Sequence, residues 1–171
     1  MFATNESYKS AVEKAAQLAF EYEEKYFGCA QTTVAGLIEA FGVADASLLR
    51  ASTCFAAGMV RRGKVCGALT GGLMVIGFLS GRDDLEMFPQ YQRGMDYGAL
   101  LYRKFIEEFG TDSCSEIQEV KFGRKFDLQK AEEREELHRI MVEKGEGCQS
   151  VTSSGARLAG EVIFKMIKKG G

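Results

Sequence analysis

The chain has 171 residues, of which 46% are hydrophobic and 27% are charged. This composition is typical of one folded domain and excludes a disordered chain, collagen and a coiled-coil fibre. Its 22 Lys and Arg residues against 24 Asp and Glu residues leave a net charge of −2, so no overall positive field attracts nucleic acid or an anionic membrane. We therefore expect a single domain over residues 1–171 that binds neither.

The N-terminal segment, MFATNESYKSAVEK, lacks the apolar run that a secretory signal or a membrane anchor requires. The longest apolar stretch, Val65 to Leu79, has 15 residues and contains four glycines, whereas a membrane-spanning helix needs about 20 apolar residues. We predict a cytoplasmic protein in which this stretch is a buried helix.

Apolar residues recur at helical spacing along the chain, and glycines or capping residues separate the segments. The pattern predicts helices over Glu6–Tyr26 and Cys29–Phe41, a short helix capped by Asp45, an apolar helix from Cys66, a long helix over Gln92–Phe109, a short helix from Cys114, a charged outer helix capped by Asp127 and a final helix from Cys148. No alternating strand pattern or internal repeat is present. The predicted fold class is all-α, a single-domain helical bundle.

The apolar helix that begins at Cys66 is unusually rich in glycine. Gly67 and Gly71 are four residues apart and share one face, and each glycine costs a helix roughly 1 kcal/mol relative to alanine unless packing compensates. Another helix is therefore expected to pack closely there. We predict a homodimer with the helix from Cys66 to Gly81 near its interface, because symmetric dimers are the commonest oligomers; the alternative is that this helix is the central element of the bundle.

The five cysteines stand in a chain without an export signal, which indicates a reducing compartment where thiols bind metals, react or are simply buried. Four of them share one position, the first turn of a predicted helix: Cys29, Cys66, Cys114 and Cys148. A helix N-terminus presents free N–H groups and a positive dipole end, which favour a thiolate and can donate hydrogen bonds to sulfide. Lowered thiol pKa values are expected, and the arrangement is compatible with a metal cluster.

Spacing alone does not identify the metal. The chain contains no CxxC pair, no CxxCH motif for covalent haem and no HExxH motif, so a cofactor held by side chains must be held by sulfur. The single histidine, His138, lies in the charged helix and is predicted to be solvated.

The residues around these cysteines resemble a known family. The segment CGALTG from Cys66 to Gly71, the approach SxxFAAGMVRRGxVCGA, the CAQ helix start at Cys29 and the single later cysteines are similar to the redox-active family named for its C-GCAxxG-C-C pattern. The resemblance runs from about residue 10 to about residue 165 and maps the four family cysteines onto Cys29, Cys66, Cys114 and Cys148.

A domain of this kind also occurs in split-Soret cytochromes, where it carries an iron–sulfur centre. The resemblance therefore implies that these four cysteines bind an iron–sulfur cluster here. Cys54 stands where relatives usually have glycine. It is either a spare or substitute ligand or a buried small apolar residue, and we predict the second, with Cys54 outside the ligand set.

The function predicted on this basis is electron transfer by an iron–sulfur protein, with a partner protein that no motif indicates. One alternative is a thiol–disulfide oxidoreductase or redox sensor with Cys66 as nucleophile, because Arg61, Arg62 and Lys64 precede it. Another is an interaction module with a structural zinc ion bound by cysteines.

Overall fold

The computed structural model describes residues 5–43 and 45–170. In this part of the chain the predicted all-α fold class is confirmed, and the only strand-like pairing is one antiparallel bridge between Val65 and Ser113. A 3₁₀ turn, Ser52–Phe55, accompanies eight α-helices: α1 (Asn5–Tyr26), α2 (Cys29–Phe41), α3 (Ala46–Ala51), α4 (Gly67–Ser80), α5 (Phe88–Phe109), α6 (Cys114–Phe122), α7 (Ala131–Lys144) and α8 (Cys148–Gly170).

Local capping explains most of the helix boundaries. The side chain of Asp45 accepts a hydrogen bond from the Ser47 N–H at the start of α3, as predicted. The cap predicted at Asp127 is wrong, because α7 begins only at Ala131. The Asp127 carboxylate instead accepts the Gln129 N–H at 3.2 Å, which stabilises a turn ahead of the helix.

Helix α4 is the central element of the main core and packs against α2, α5 and α8. A β-carbon added at Gly71 would lie 2.6 Å from the Ala30 carbonyl oxygen of α2, and one added at Gly155 of α8 would lie 2.9 Å from the Ala68 β-carbon. The close packing expected at the glycine-rich helix is confirmed. At Gly71 the partner is another helix of the same chain, so this glycine does not point to a dimer interface.

A smaller apolar cluster lies apart from the main core. Its buried members come from the segment before α7 and from α7 itself: Phe126, Leu128, Leu137 and Met141. The rest of α7 is largely exposed, as predicted for a charged outer helix. Phe27 and Cys148 pack against this cluster, which therefore forms the second wall of the site described below.

None of the helices in the described ranges is both long and apolar enough to cross a membrane.

Candidate functional site

The four cysteines singled out in the sequence all lie at helix starts. Cys29, Cys114 and Cys148 are the first residues of α2, α6 and α8, and Cys66 is the N-cap of α4. A glycine precedes Cys29 and another precedes Cys148, and both have positive φ, a backbone conformation that costs glycine little. The predicted position of these thiols is thereby confirmed.

The helix starts converge on one cavity of about 480 Å³. Cys29, Cys114 and Cys148 line it, whereas Cys66 is buried behind them. A β-carbon added at Gly67 would clash with the sulfur of Cys29, so the glycine of the CGA motif is what allows α4 to begin directly against the Cys29 side chain. The fold thus brings together four cysteines from distant parts of the chain.

Cys54 lines the same cavity from the 3₁₀ turn. It is exposed, so the prediction that it is a buried apolar residue is wrong. The reason is that the 3₁₀ turn lies at the rim of the cavity and outside the main core.

Burial dominates the electrostatics of the thiols. It raises the pKa of Cys66 and of Cys114 to about 12, and it raises the pKa of Cys29 and Cys148 well above that of a free cysteine. The expectation of lowered pKa values is therefore wrong. Desolvation of a thiolate outweighs the favourable helix-start N–H groups, and the charges of neighbouring thiolates raise the pKa further.

Polar donors nevertheless point to several of the sulfurs. Backbone N–H groups of Ala30 and Ala57 act to lower the pKa of Cys29, and those of Ala68 and Leu69 act to lower that of Cys66. The side-chain amide of Gln118 donates a hydrogen bond to the Cys114 sulfur at 3.4 Å. Each donor favours negative charge on sulfur, whether that charge is a free thiolate or one bound to a metal.

Glu23 is a site residue that the sequence analysis missed. Its side chain is buried, lines the cavity and accepts a hydrogen bond from the Thr32 hydroxyl at 2.7 Å. Burial raises its pKa to about 8, and its charge acts to raise the pKa of all four buried thiols. The sequence contains a signal for the burial of Glu23, because this residue continues the four-residue spacing of the buried Ala15 and Ala19 on α1.

The wall opposite the thiols is mainly apolar. Leu128, Leu137 and Met141 line it, and the His138 ring stacks on Phe27 with ring centroids 4.1 Å apart and planes inclined by 9°. The His138 side chain is exposed, as predicted, but its ring also packs against Phe27 in the cavity lining. Burial of one ring face and the charge of a neighbouring arginine lower its pKa.

A left-handed turn, Ala57–Arg61, covers the cavity. Its five consecutive residues have φ between 46° and 68°, and this conformation costs a non-glycine residue about 1–2 kcal/mol. Backbone hydrogen bonds hold the turn, from Val60 N–H to the Cys54 carbonyl and from Lys64 N–H to the Gly58 carbonyl, each at 2.9 Å. The sequence predicts a turn here but not its handedness. Strain of this kind is concentrated at functional sites in proteins.

All five cysteines are free thiols. In the described ranges, no group of three or more His, Cys, Asp or Glu side chains is arranged to hold a metal ion. The donors present are thus thiols that share one cavity, with a buried carboxyl beside them.

Comparison with known proteins adds one finding. The family described as "Putative redox-active protein (C_GCAxxG_C_C)" matches residues 27–162, a range that includes all five cysteines. Neither the curated proteins nor the solved structures contain a match to the chain.

Proposed function

The chain belongs to the C_GCAxxG_C_C family of redox-active proteins, and we propose that it transfers electrons through an iron–sulfur cluster bound by Cys29, Cys66, Cys114 and Cys148. A bound cluster would supply reversible one-electron oxidation and reduction. The residues of this chain would hold it, shield it from water and stabilise the negative charge on its sulfur ligands.

The observation that carries the proposal is the convergence of four thiols at helix starts around one cavity, where Cys66 and Cys114 are buried and Cys29 and Cys148 are half-buried. Because burial raises their pKa values, these thiols stay protonated at neutral pH unless a cation compensates the thiolate charge. Iron would provide that compensation, and its binding by the four thiols would release their protons. For a cluster, the four sulfurs would not need to surround a single ion.

The surroundings of the thiols suit such a centre. The N–H groups of Ala30 and Ala57 and the amide of Gln118 face sulfur atoms, and hydrogen bonds to ligand sulfur raise the reduction potential of iron–sulfur centres. The apolar side chains of Leu128, Leu137 and Met141 form the opposite wall. They would limit the access of water to the cluster.

The same burial argues against a thiol–disulfide oxidoreductase that uses Cys66. The nucleophile in disulfide exchange is the thiolate, whereas Cys66 is 5% exposed and has a pKa of about 12. The basic residues before it do not compensate for this desolvation. Cys54 is the exposed cysteine, whereas Cys29 and Cys148 are half-buried.

Anaerobic purification followed by analysis of iron, acid-labile sulfide and zinc tests the proposal directly. We expect a coloured protein that contains iron and sulfide in equal amounts and bleaches on reduction. If the protein contains zinc and no sulfide, the site binds a structural zinc ion and not a cluster. A colourless protein that contains no metal after anaerobic reconstitution, and that forms one intramolecular disulfide on mild oxidation, would support the oxidoreductase instead.

A further inference from the structure

The left-handed turn Ala57–Arg61 lies against the thiols. The Ala57 N–H faces the Cys29 sulfur. A β-carbon added at Gly58 would lie 2.7 Å from the β-carbon of Cys114. The Met59 and Val60 side chains are 40% and 59% exposed, and Val60 and Arg61 also line the cavity. The turn therefore contacts two of the four cysteines and also presents side chains to solvent.

This turn also lies in the most basic part of the chain. Between Asp45 and Asp83 the sequence has no acidic residue. The basic residues there are Arg50, Arg61, Arg62, Lys64 and Arg82. The net charge of −2 is therefore the sum of +5 in this segment and −7 in the rest of the chain.

The basic side chains next to the turn are available to a partner. Arg61, Arg62 and Lys64 are exposed, and none of them takes part in the ion pairs of the described residues. Two exposed apolar side chains beside unpaired cations form a small surface: Met59, Val60, Arg61, Arg62 and Lys64. We call this set the basic surface.

We propose that the basic surface is the docking site for an acidic electron-carrier protein, which exchanges electrons with the centre beneath it. This inference rests on the proposed function. Complementary charge steers such a partner to the surface and orients it, and a small apolar contact at the centre suits a transient redox complex of low buried area. In each encounter the reduced carrier loses one electron and the centre gains one, and no bond forms or breaks.

The turn's unusual backbone has a direct role in this arrangement. Its left-handed conformation turns the Ala57 N–H inwards to sulfur while it leaves Met59 and Val60 exposed. The partner would therefore contact residues whose backbone also contacts a ligand sulfur.

Charge reversal tests the proposal, with a plant-type ferredoxin, a small acidic [2Fe–2S] protein, as the probe. The double variant Arg62→Glu/Lys64→Glu changes the charge of the basic surface by −4, on exposed side chains that do not line the cavity. The matched control Lys9→Glu/Lys165→Glu makes the same change on exposed residues of α1 and α8 that lie outside the cavity lining. Iron and sulfide are measured first in each protein, and reduction by dithionite provides a reaction that needs no docking.

In stopped-flow reduction by reduced ferredoxin at low ionic strength, we expect the Arg62/Lys64 variant to react about tenfold or more slowly than the unchanged protein. The control variant should react at nearly the unchanged rate. The rate of the unchanged protein should fall as salt is added, and reduction by dithionite should be the same for all three. Equal rates for the two double variants, or a rate independent of salt, would overturn the docking proposal.

Titration calorimetry with oxidised ferredoxin decides the same question without electron transfer. Binding to the unchanged protein that is lost in the Arg62/Lys64 variant and retained in the control supports the docking site, even in a preparation without cluster. Absence of iron and sulfide would overturn the proposed function, whereas absence of binding would overturn only the docking site. Binding of single-stranded RNA at the same residues, with no binding of ferredoxin, would also overturn it.

Discussion

Gly67 lies so close to the sulfur of Cys29 that a β-carbon at position 67 would clash with it, and the same carbon would lie 2.9 Å from the Ala30 nitrogen. This contact joins the start of α4 to the start of α2. It explains why a glycine directly follows Cys66, although glycine is a poor residue for the first turn of a helix.

Gly67→Ala should therefore destabilise the protein and reduce its iron content. We expect a loss of roughly 1–3 kcal/mol in the free energy of unfolding, since the new methyl group must displace the Cys29 side chain or the start of α2. Denaturant unfolding of the apoprotein measures the loss. The control is Gly77→Ala on the same helix, where an added β-carbon meets nothing within 4 Å. That variant should gain roughly 0.5–1 kcal/mol, and an equal loss in both variants would contradict the explanation.

The proposed ligand set predicts a pattern among five serine variants. Serine in place of Cys29, Cys66, Cys114 or Cys148 should bleach or shift the visible spectrum of the cluster and lower the bound iron. Cys54→Ser should leave both unchanged, although Cys54 lines the same cavity. Absorption and electron paramagnetic resonance spectra of the reduced proteins provide the measurement. If Cys54→Ser bleaches the spectrum while one of the other four variants leaves it unchanged, the assignment at those two positions is wrong.

Glu23 should make the stability of the apoprotein depend on pH. Its pKa in the folded state is about 8, above the ordinary value of 4.5, so between these values the folded state binds more protons than the unfolded state. The free energy of unfolding should then decrease as pH rises through this interval, by up to about 1.4 kcal/mol per pH unit. Below pH 4.5 this contribution no longer changes.

Glu23→Gln should remove that slope, since glutamine keeps the shape of the side chain and cannot ionise. Urea unfolding at several pH values between 5 and 8 compares the variant with the unchanged protein. The exposed neighbour Glu24 supplies the control, because Glu24→Gln should retain the slope. A slope that persists in Glu23→Gln would show that another group causes it.

We now place the interface of the predicted homodimer on one face of the molecule. We propose that two copies pair through the large apolar side chains exposed at the end of α4, in the loop that follows and in the first half of α5: Phe78, Leu79, Leu85, Met87, Phe88, Tyr91 and Met95. Isolated monomers rarely expose so many neighbouring apolar side chains.

Light scattering coupled to size-exclusion chromatography should give the mass of a dimer at micromolar concentration. Phe88→Lys/Met95→Lys should give a monomer, because each lysine would have to be desolvated in the interface. Val142→Lys changes an exposed apolar residue of α7 that is 64% exposed, and it should remain a dimer. A monomeric mass for the unchanged protein would overturn the prediction.

The sequence by itself determined the elements of this protein and the local position of its thiols. Helical spacing, glycines at helix ends and the cap at Asp45 predict helices close to those observed, because these signals act within a few residues of chain. The same local signals place Cys29, Cys66, Cys114 and Cys148 at helix starts.

Only the tertiary structure decided the chemistry of those thiols. The helix-start N–H groups were expected to lower their pKa values, yet burial raises them. Desolvation depends on what the rest of the chain places around a sulfur atom, and no local spacing contains that information. For the same reason the buried carboxyl of Glu23 and the left-handed turn Ala57–Arg61 became site elements only when the helix starts were brought together around one cavity.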